Sequence, residues 1–495
     1  MKNISFTPSK FRLLCSTLDS ILLSSLNPYV ISIDWLHVLR PHSVLLKRYK
    51  SLFSPISSQL WYLFLDICRN IVSVLIDIKQ AILNGHLLMP HLSVSSPPDI
   101  IFVTHLLDAS HLRKSTDFYY GDLGDQLSQE GLSVLFLFIN HTKLPSKLLQ
   151  SSQQFSNYNR IVLPVGQDSL SLLFRSLYWS IKSFIRLLSC MPRIRSYRIL
   201  HSVVLAASNS FSRGTRLSFF LQYYLKHLIR PNTKCLVSTF EGFAWERIVF
   251  STSHDHNPSI STFGYMHALS FKDQHSVFRS LGNRFNPRFI LTAGSISRDY
   301  LLKYLGFCES QVFELGSPRS ITVPGVLESS PASSSSTILV LPEGILDECL
   351  LLFRFSLECA LHNPSLIFRW RTHPLIPVES VVSNIIGNSL LPSNIVVSNE
   401  SFDSDISASR YCLYRGSTAV VTAASSGLIP IYYKFSDFPD TDPLFCLSSY
   451  RPAVSQFYSL SNVLQWTRWD SSAIKLCQQL YTPLNHHLFM DHGLL

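Results

Sequence analysis

Apolar runs too short to be helices recur along the chain, and longer stretches with helical spacing separate them. The first set comprises Ile100-Ile101-Phe102-Val103-Thr104, Val134-Leu135-Phe136-Leu137-Phe138, Arg160-Ile161-Val162-Leu163-Pro164, Lys234-Cys235-Leu236-Val237-Ser238 and Arg288-Phe289-Ile290-Leu291-Thr292. Continuous runs of this kind predict strands covered on both faces, as in a parallel sheet, with helices such as 171–189 and 216–229 between them.

Residues 317–336 interrupt the alternation with Ser317-Pro318, Pro324-Gly325, Ser329-Ser330-Pro331 and a serine run over 333–336, the composition of a linker. Beyond it the alternation restarts with Thr337-Ile338-Leu339-Val340-Leu341, 365–370, Asn394-Ile395-Val396-Val397, 411–414 and Leu428-Ile429-Pro430-Ile431-Tyr432-Tyr433. The pattern predicts an α/β protein of two doubly wound Rossmann-type domains with a cleft between them. The expected division is a helical N-terminal region over 1–95, a first domain over 96–316, the linker, a second domain over 337–454 and closing helices over 455–495. Ser95-Ser96-Pro97-Pro98-Asp99 marks the start of the first domain.

A chain of 495 residues favours more than one core. With 46% hydrophobic and only 15% charged residues it is not a disordered polymer. An excess of 42 Lys+Arg over 32 Asp+Glu leaves +10, which suits an anionic partner such as a nucleotide, an acidic polymer or an anionic membrane surface. The basic residues are dispersed, with no zinc-finger, RRM-type or Lys-rich arm signature, which argues against nucleic acid. Ten cysteines without a C-x-x-C pair suit reduced thiols in a cytoplasmic protein. Asp66 and Arg69, and Arg175, Lys182 and Arg186, break the longest apolar stretches, so none reaches the ~18 residues of a membrane span. The N-terminus lacks the apolar run and cleavage site of an export signal. Segment 171–198 still reads as a basic amphipathic helix, with Arg175, Lys182 and Arg186 on one stripe beside Tyr178, Trp179 and Phe184, then Arg193, Arg195 and Arg198. Such a helix can rest on an anionic bilayer or pack on a core with a solvated basic face.

Candidate chemistry gathers where strands end. Arg369-Trp370-Arg371-Thr372-His373-Pro374 follows Ser365-Leu366-Ile367-Phe368, and strand periodicity would put Arg369, Arg371 and His373 on one side, aimed at the cleft. Arg415-Gly416-Ser417-Thr418 follows Tyr411-Cys412-Leu413-Tyr414 at a strand-to-helix turn. Ser417 and Thr418 there either cap the helix or share its first N–H groups with a phosphate. Ser425-Ser426 before Gly427 would lie at the wrong helix end for an anion. Glu241, in Phe240-Glu241-Gly242, could take a proton from an attacking hydroxyl or complement a helix dipole, with Glu246 the more structural acid. His267, after Phe263-Gly264-Tyr265-Met266, could position an acceptor or act as base, or be a satisfied loop histidine. Glu343-Gly344 faces the cleft or caps a helix, and Asp403-Ser404-Asp405 fits a cap better than a metal pair. No set of residues at metal-ligand spacing stands out, so neither a metal nor a cofactor is expected.

The order Glu-Gly, His-Pro, Ser-Thr resembles bacterial surface-polysaccharide glycosyltransferases of the GT-B fold, in particular the polysialyltransferase and capsular Kdo-transferase types that use CMP-activated sugars. The tract from Leu341-Pro342-Glu343-Gly344-Ile345 to Tyr414-Arg415-Gly416-Ser417-Thr418 is also similar to surface-carbohydrate biosynthesis proteins. The likeness spans about 235 to 435. It implies a GT-B-like pair of domains, the first for the acceptor and the second for the donor. It also implies that His373, Ser417 and Thr418 hold the nucleotide phosphate and that Glu241 is the base; the strand-end reading adds Arg369, Arg371, Gly416, Glu343 and Gly344 to the phosphate site and His267 as a second candidate base. This chain departs from the family where Phe240 stands in place of a second acid, and where a serine pair reads Ser417-Thr418. The expected activity is metal-independent, inverting transfer of a sugar from a nucleotide donor to a glycan or lipid-linked glycan, in the cytoplasm or peripheral to the inner membrane. Alternatives are a CDP-glycerol-type polymer phosphotransferase, a nucleotide-sugar 2-epimerase and a non-catalytic glycan-assembly subunit.

Overall fold

The structure is a computed structural model that describes residues 6–83, 97–142, 144, 149, 158–163, 169–189, 196–320, 336–374, 376–387, 389–436, 438–466, 468–491 and 493. Two parallel sheets organise it. The first contains β1 (Ile100–Leu106), β2 (Val134–Asn140), β3 (Asn159–Leu163), β4 (Cys235–Thr239), β5 (Ser261–Met266), β6 (Phe289–Thr292) and β7 (Val312–Glu314) in the order β3-β2-β1-β4-β5-β6-β7. The second contains β8 (Thr337–Leu341), β9 (Ile367–Trp370), β10 (Ile395–Val397), β11 (Tyr411–Tyr414), β12 (Ile429–Tyr433) and β13 (Ala453–Val454) in the order β10-β9-β8-β11-β12-β13. Counted within each domain, both follow the 3-2-1-4-5-6 order of the Rossmann fold, with β7 added at one edge of the first sheet. Two such domains in one chain form a GT-B-like architecture.

The apolar runs become strands because alternate side chains feed two cores at once. In β1, Ile100 and Phe102 pack with Phe136 and Tyr120 on one face, while Ile101 and Val103 pack with Leu135 and Leu221 on the other. In the second sheet Ile338 and Val340 join Phe353 and Trp370, whereas Leu339 and Leu341 meet Cys412 and Tyr414. Full burial of β1, β2, β4, β8 and β11 matches their lack of a polar face. The edge strands β7 and β13 were not expected; at three and two residues they are too short to show periodicity.

The N-terminal helices pack on the first domain: Leu18, Trp35 and Tyr49 share a core with Val203 and Ile248. The closing segment supplies the helix Ser471–Gln478 and then returns to the first domain, where Ser317 N–H donates to Thr482 O and Thr482 N–H to Ala293 O, at 2.8 and 3.0 Å. Most of the linker (321–335), Pro164, Arg193, Arg195 and Ser95-Ser96 lie outside the described residues.

Candidate functional site

A doubly wound sheet opens a crevice at the carboxyl ends of the two strands where its winding reverses. In the first sheet these strands are β1 and β4, in the second β8 and β11. The chain leaves them at Leu107, at Phe240-Glu241-Gly242, at Pro342-Glu343-Gly344 and at Arg415-Gly416-Ser417, with His105 the last residue but one of β1. Topology alone therefore puts Glu241, Glu343, Gly344, Gly416 and Ser417 at the two crevice edges.

At the first edge Gly242 adopts φ +89°, and a Cβ there would come 2.5 Å from Ser276 Oγ. The turn is held by Glu246, whose carboxylate accepts from the N–H groups of Glu241, Gly242 and Phe243 at 2.9, 2.7 and 2.9 Å. Glu246 is thus committed to the backbone. Glu241 Oε1 instead lies 2.9 Å from Arg40 Nη2 and 3.2 Å from His267 Nε2. Burial alone would push the Glu241 carboxyl up, but the charge of Arg40 and the hydrogen bond and charge of His267 outweigh it and hold the carboxyl well below the usual range. His267 is buried, stands edge-on to Tyr119 with ring centres 4.4 Å apart, and has no partner for Nδ1 among the described residues. Tyr119 is fixed by a turn in which Asp117 Oδ1 accepts its N–H and that of Tyr120. Behind them His105 Nδ1 meets His141 Nε2 at 2.7 Å. Burial, then His141, holds the His105 pKa down at about 3, against the pull of Glu241.

At the second edge a Cβ on Gly416 would sit 1.7 Å from Glu343 Oε1, so a side chain there would displace that carboxylate. A Cβ on Gly344 would sit 2.9 Å from the His373 ring. Glu343, Gly344, His373 and Gly416 are therefore one cluster. His373 is half-buried, which lowers its pKa. Glu343 Oε2 is 3.0 Å from His42 Nε2, and buried Glu348 pairs with buried Arg415. His42, Glu343 and Glu348 have the geometry to share a cation. Arg415 pairs with Glu348 and His42 Nε2 lies against Glu343 Oε2, while Glu343 Oε1 is buried without a hydrogen-bond partner among the described residues.

Two predicted residues lie elsewhere. Arg369 and Arg371 both reach Asp405, at 3.3 and 2.7 Å, and Arg371 also donates to Glu400 O. The strand ends at Trp370, so the alternation that would aim both arginines with His373 stops before Arg371. Asp405 is thus a buried ion-pair centre, while Ser401 caps its helix. Ser417 is buried, and Thr418 opens the helix Ala419–Ser425 without a side-chain cap bond, so capping, one of the two roles weighed for this pair, is not what Thr418 does.

Sequence reasoning missed Arg40 and His42. They flank Pro41 in an extended strap that touches both edges: Arg40 on Glu241, His42 on Glu343. Ser276 Oγ donates to Leu39 O at 3.0 Å and Lys47 pairs with Asp347, which fastens the strap on either side. Nothing local in residues 1–95 marks this role, because partners some 200 to 300 positions away create it. A separate cavity of about 720 Å³ lies between Tyr300 and Lys303 of the first domain and Lys434, Asp440 and Arg451 of the second. None of the predicted residues lines it, and its Arg451 is tied to Asp442.

No protein-family model and no curated protein matches the chain. Among solved structures, MurG from Acinetobacter baumannii is similar with a TM-score of 0.45 at 12% identity, over 80% of this chain and 98% of that one. UDP-GlcNAc 2-epimerase from Neisseria meningitidis, bound to UDP-GlcNAc, gives 0.43 at 12%, over 80% and 99%. The spinosyn rhamnosyltransferase SpnG gives 0.42 at 14%, over 80% and 99%. Likenesses this distant carry no argument about the reaction, and the fold rests on the two strand orders themselves.

Proposed function

We propose that this chain is a metal-independent, inverting glycosyltransferase that moves a sugar from a nucleotide donor, a CMP-sugar by the resemblance, to a growing surface glycan or its lipid-linked form. The nucleotide lies at the second edge, against Gly344, Gly416, Ser417 and Thr418, with Glu343 beside it. The acceptor lies at the first. Glu241, held ionised by Arg40, is too weak a base to serve alone. It orients His267 and stabilises the imidazolium, while His267 Nδ1 takes the acceptor hydroxyl proton. The acceptor oxygen bonds to the anomeric carbon as the bond to the leaving phosphate breaks, and the electron pair stays on phosphate oxygen. His373, with the hydroxyls of Ser417 and Thr418, stabilises that charge. Work in the cytoplasm, with the basic helix Leu170–Leu188 resting on the inner membrane, completes the reading.

One observation carries it. Glu241, beside His267, meets Arg40, and Glu343, whose neighbour Gly344 lies against His373, meets His42 two residues on, which supports a base and a leaving-group site sharing one crevice. A thermal-shift screen against CMP, CDP, UDP and GDP sugars tests the donor site: stabilisation by at least one is expected, and by none sinks the reading. Product analysis then separates transfer from its rivals. A phosphodiester would indicate a polymer phosphotransferase, and turnover of a free nucleotide sugar without acceptor an epimerase. Full complementation by His373→Ala together with Glu241→Gln would indicate a non-catalytic subunit.

A further inference from the structure

One side of the N-terminal region is built inside out. The helix Ile56–Leu83 buries Gln59, Asn70, Asp77 and Ala81, and turns Leu60, Trp61, Phe64, Ile71, Leu75 and Ile82 to the outside, with Leu75 58% exposed. The buried Gln59, Asn70 and Asp77 each have a partner. Gln59 donates to Ser54 O and accepts from Tyr197 Oη, and Asn70 donates to Ser208 O. Asp77 pairs at 2.6 Å with Arg216, both sealed from solvent. Rolling the helix to bury its leucines would strand that ion pair, so the orientation is specified. The neighbouring helix Leu170–Leu188 buries Leu172, Leu173, Trp179 and Leu187 together with Ser176, Ser180 and Ser183, yet still turns Phe174, Tyr178, Ile181 and Ile185 out. Between the two runs an apolar groove of about 590 Å³, lined by Leu63, Ile67, Ile71, Leu177, Ile181 and Phe184. A contiguous apolar surface of this kind marks an interaction site.

Charge identifies the partner. Arg175, Lys182 and Arg186 stand on the exposed side of the helix Leu170–Leu188, which has no acid, and Arg198 stands on the acid-free helix Tyr197–Ser208. On Ile56–Leu83 the acids are already taken, Asp77 by Arg216 and Asp66 by Arg69, while Lys79 faces out. The surface is therefore apolar and cationic with no acid left to answer a basic partner. A second copy docked here about a two-fold axis would set these cations against themselves.

We propose that this face docks in the headgroup region of an anionic phospholipid bilayer, with the helix Ile56–Leu83 in the membrane plane and an acyl chain in the groove. No described helix is long and apolar enough to cross a membrane, so the helix lies on the bilayer rather than through it. The cations meet lipid phosphates, and Trp61 and Tyr178 sit at the depth where amphipathic rings are favoured. The proposal extends the membrane contact read from segment 171–198 and is independent of the donor chemistry.

Vesicle flotation of the full chain tests it, with phosphatidylcholine alone or with about one third phosphatidylglycerol. The protein is expected to float with the anionic vesicles and to be released by salt. Ile71→Gln/Leu75→Gln should weaken partitioning about tenfold or more. Arg175→Glu/Lys182→Glu/Arg186→Glu should weaken it by on the order of a hundredfold at low salt. Leu390→Gln, at a residue 94% exposed in the second domain, should change nothing. Circular dichroism checks that each variant folds, and the lipid and salt dependence of the unmodified chain stands as a test without any variant. Equal binding to neutral and anionic vesicles, no flotation, or a stable dimer dissolved by Ile71→Gln/Leu75→Gln would each overturn the proposal.

Discussion

The crevice edge of the first domain gathers imidazoles around a single ionised carboxylate: His105, His141 and His267 with Glu241, closed in by Tyr119. The corresponding edge of the second domain has the same strand order but is built on glycines, with carboxylates packed where side chains cannot go and one half-buried histidine alongside. The first arrangement is suited to moving a proton, since buried rings lie within hydrogen-bond reach of one another and of a fixed acid. The second is suited to close approach of a ligand backbone, since Gly344 and Gly416 present no Cβ. One topology thus supports two chemistries, and the difference lies only in the residues that follow each strand.

The sharpest way to break this contrast is to exchange the roles. If proton transfer belongs to the first edge and leaving-group stabilisation to the second, His267→Ala and His373→Ala should each lower kcat by on the order of 10²–10⁴. Only His373→Ala should also weaken nucleotide binding, as read by calorimetry, and the melting temperature of both variants should stay near that of the parent. Gly416→Ala comes next. Its methyl would occupy the place of Glu343 Oε1, so a loss of about 1–3 kcal/mol in denaturant unfolding is expected, together with loss of donor binding. An unchanged variant would mean the second edge is looser than the geometry indicates.

The first edge should reveal itself through pH. His105 stays neutral in the fold down to about pH 3 but protonates near 6.5 when unfolded. The unfolded state therefore binds the extra proton, and stability falls as pH drops from 6.5 toward 3. His105→Gln should flatten this slope by on the order of 2 kcal/mol between pH 6.5 and 5. Glu241 acts in a lower window: its stabilisation is complete above the ordinary carboxylate range and is lost only as pH falls through its depressed folded value. The smallest effect belongs to Arg371→Ala. With Arg369 still on Asp405, a loss of about 1 kcal/mol and unaltered nucleotide affinity are expected. A large drop in affinity would return that arginine to the donor site.

What the chain determines by itself is local. Continuous apolar runs such as Ile100-Ile101-Phe102-Val103 and Tyr411-Cys412-Leu413-Tyr414 specify strands covered on both faces, and their alternation with helices specifies two parallel sheets. Because ligand crevices open at strand ends, Glu241, Glu343 and Gly416 were also legible as candidates. Tertiary structure alone decided the rest. Arg369 and Arg371 sit in a cationic motif by sequence, yet buried Asp405 claims both, and the strand ends at Trp370 before its periodicity can extend to Arg371 and His373. Arg40 and His42 carry no local signature, since their partners are brought to them by the folding of two separate domains. Residues 1–95 read only as a helical region, and for the helix Ile56–Leu83 packing alone tells which face is in. Side-chain periodicity reports that two faces differ, whereas a buried pair such as Asp77 and Arg216 decides which one the protein keeps.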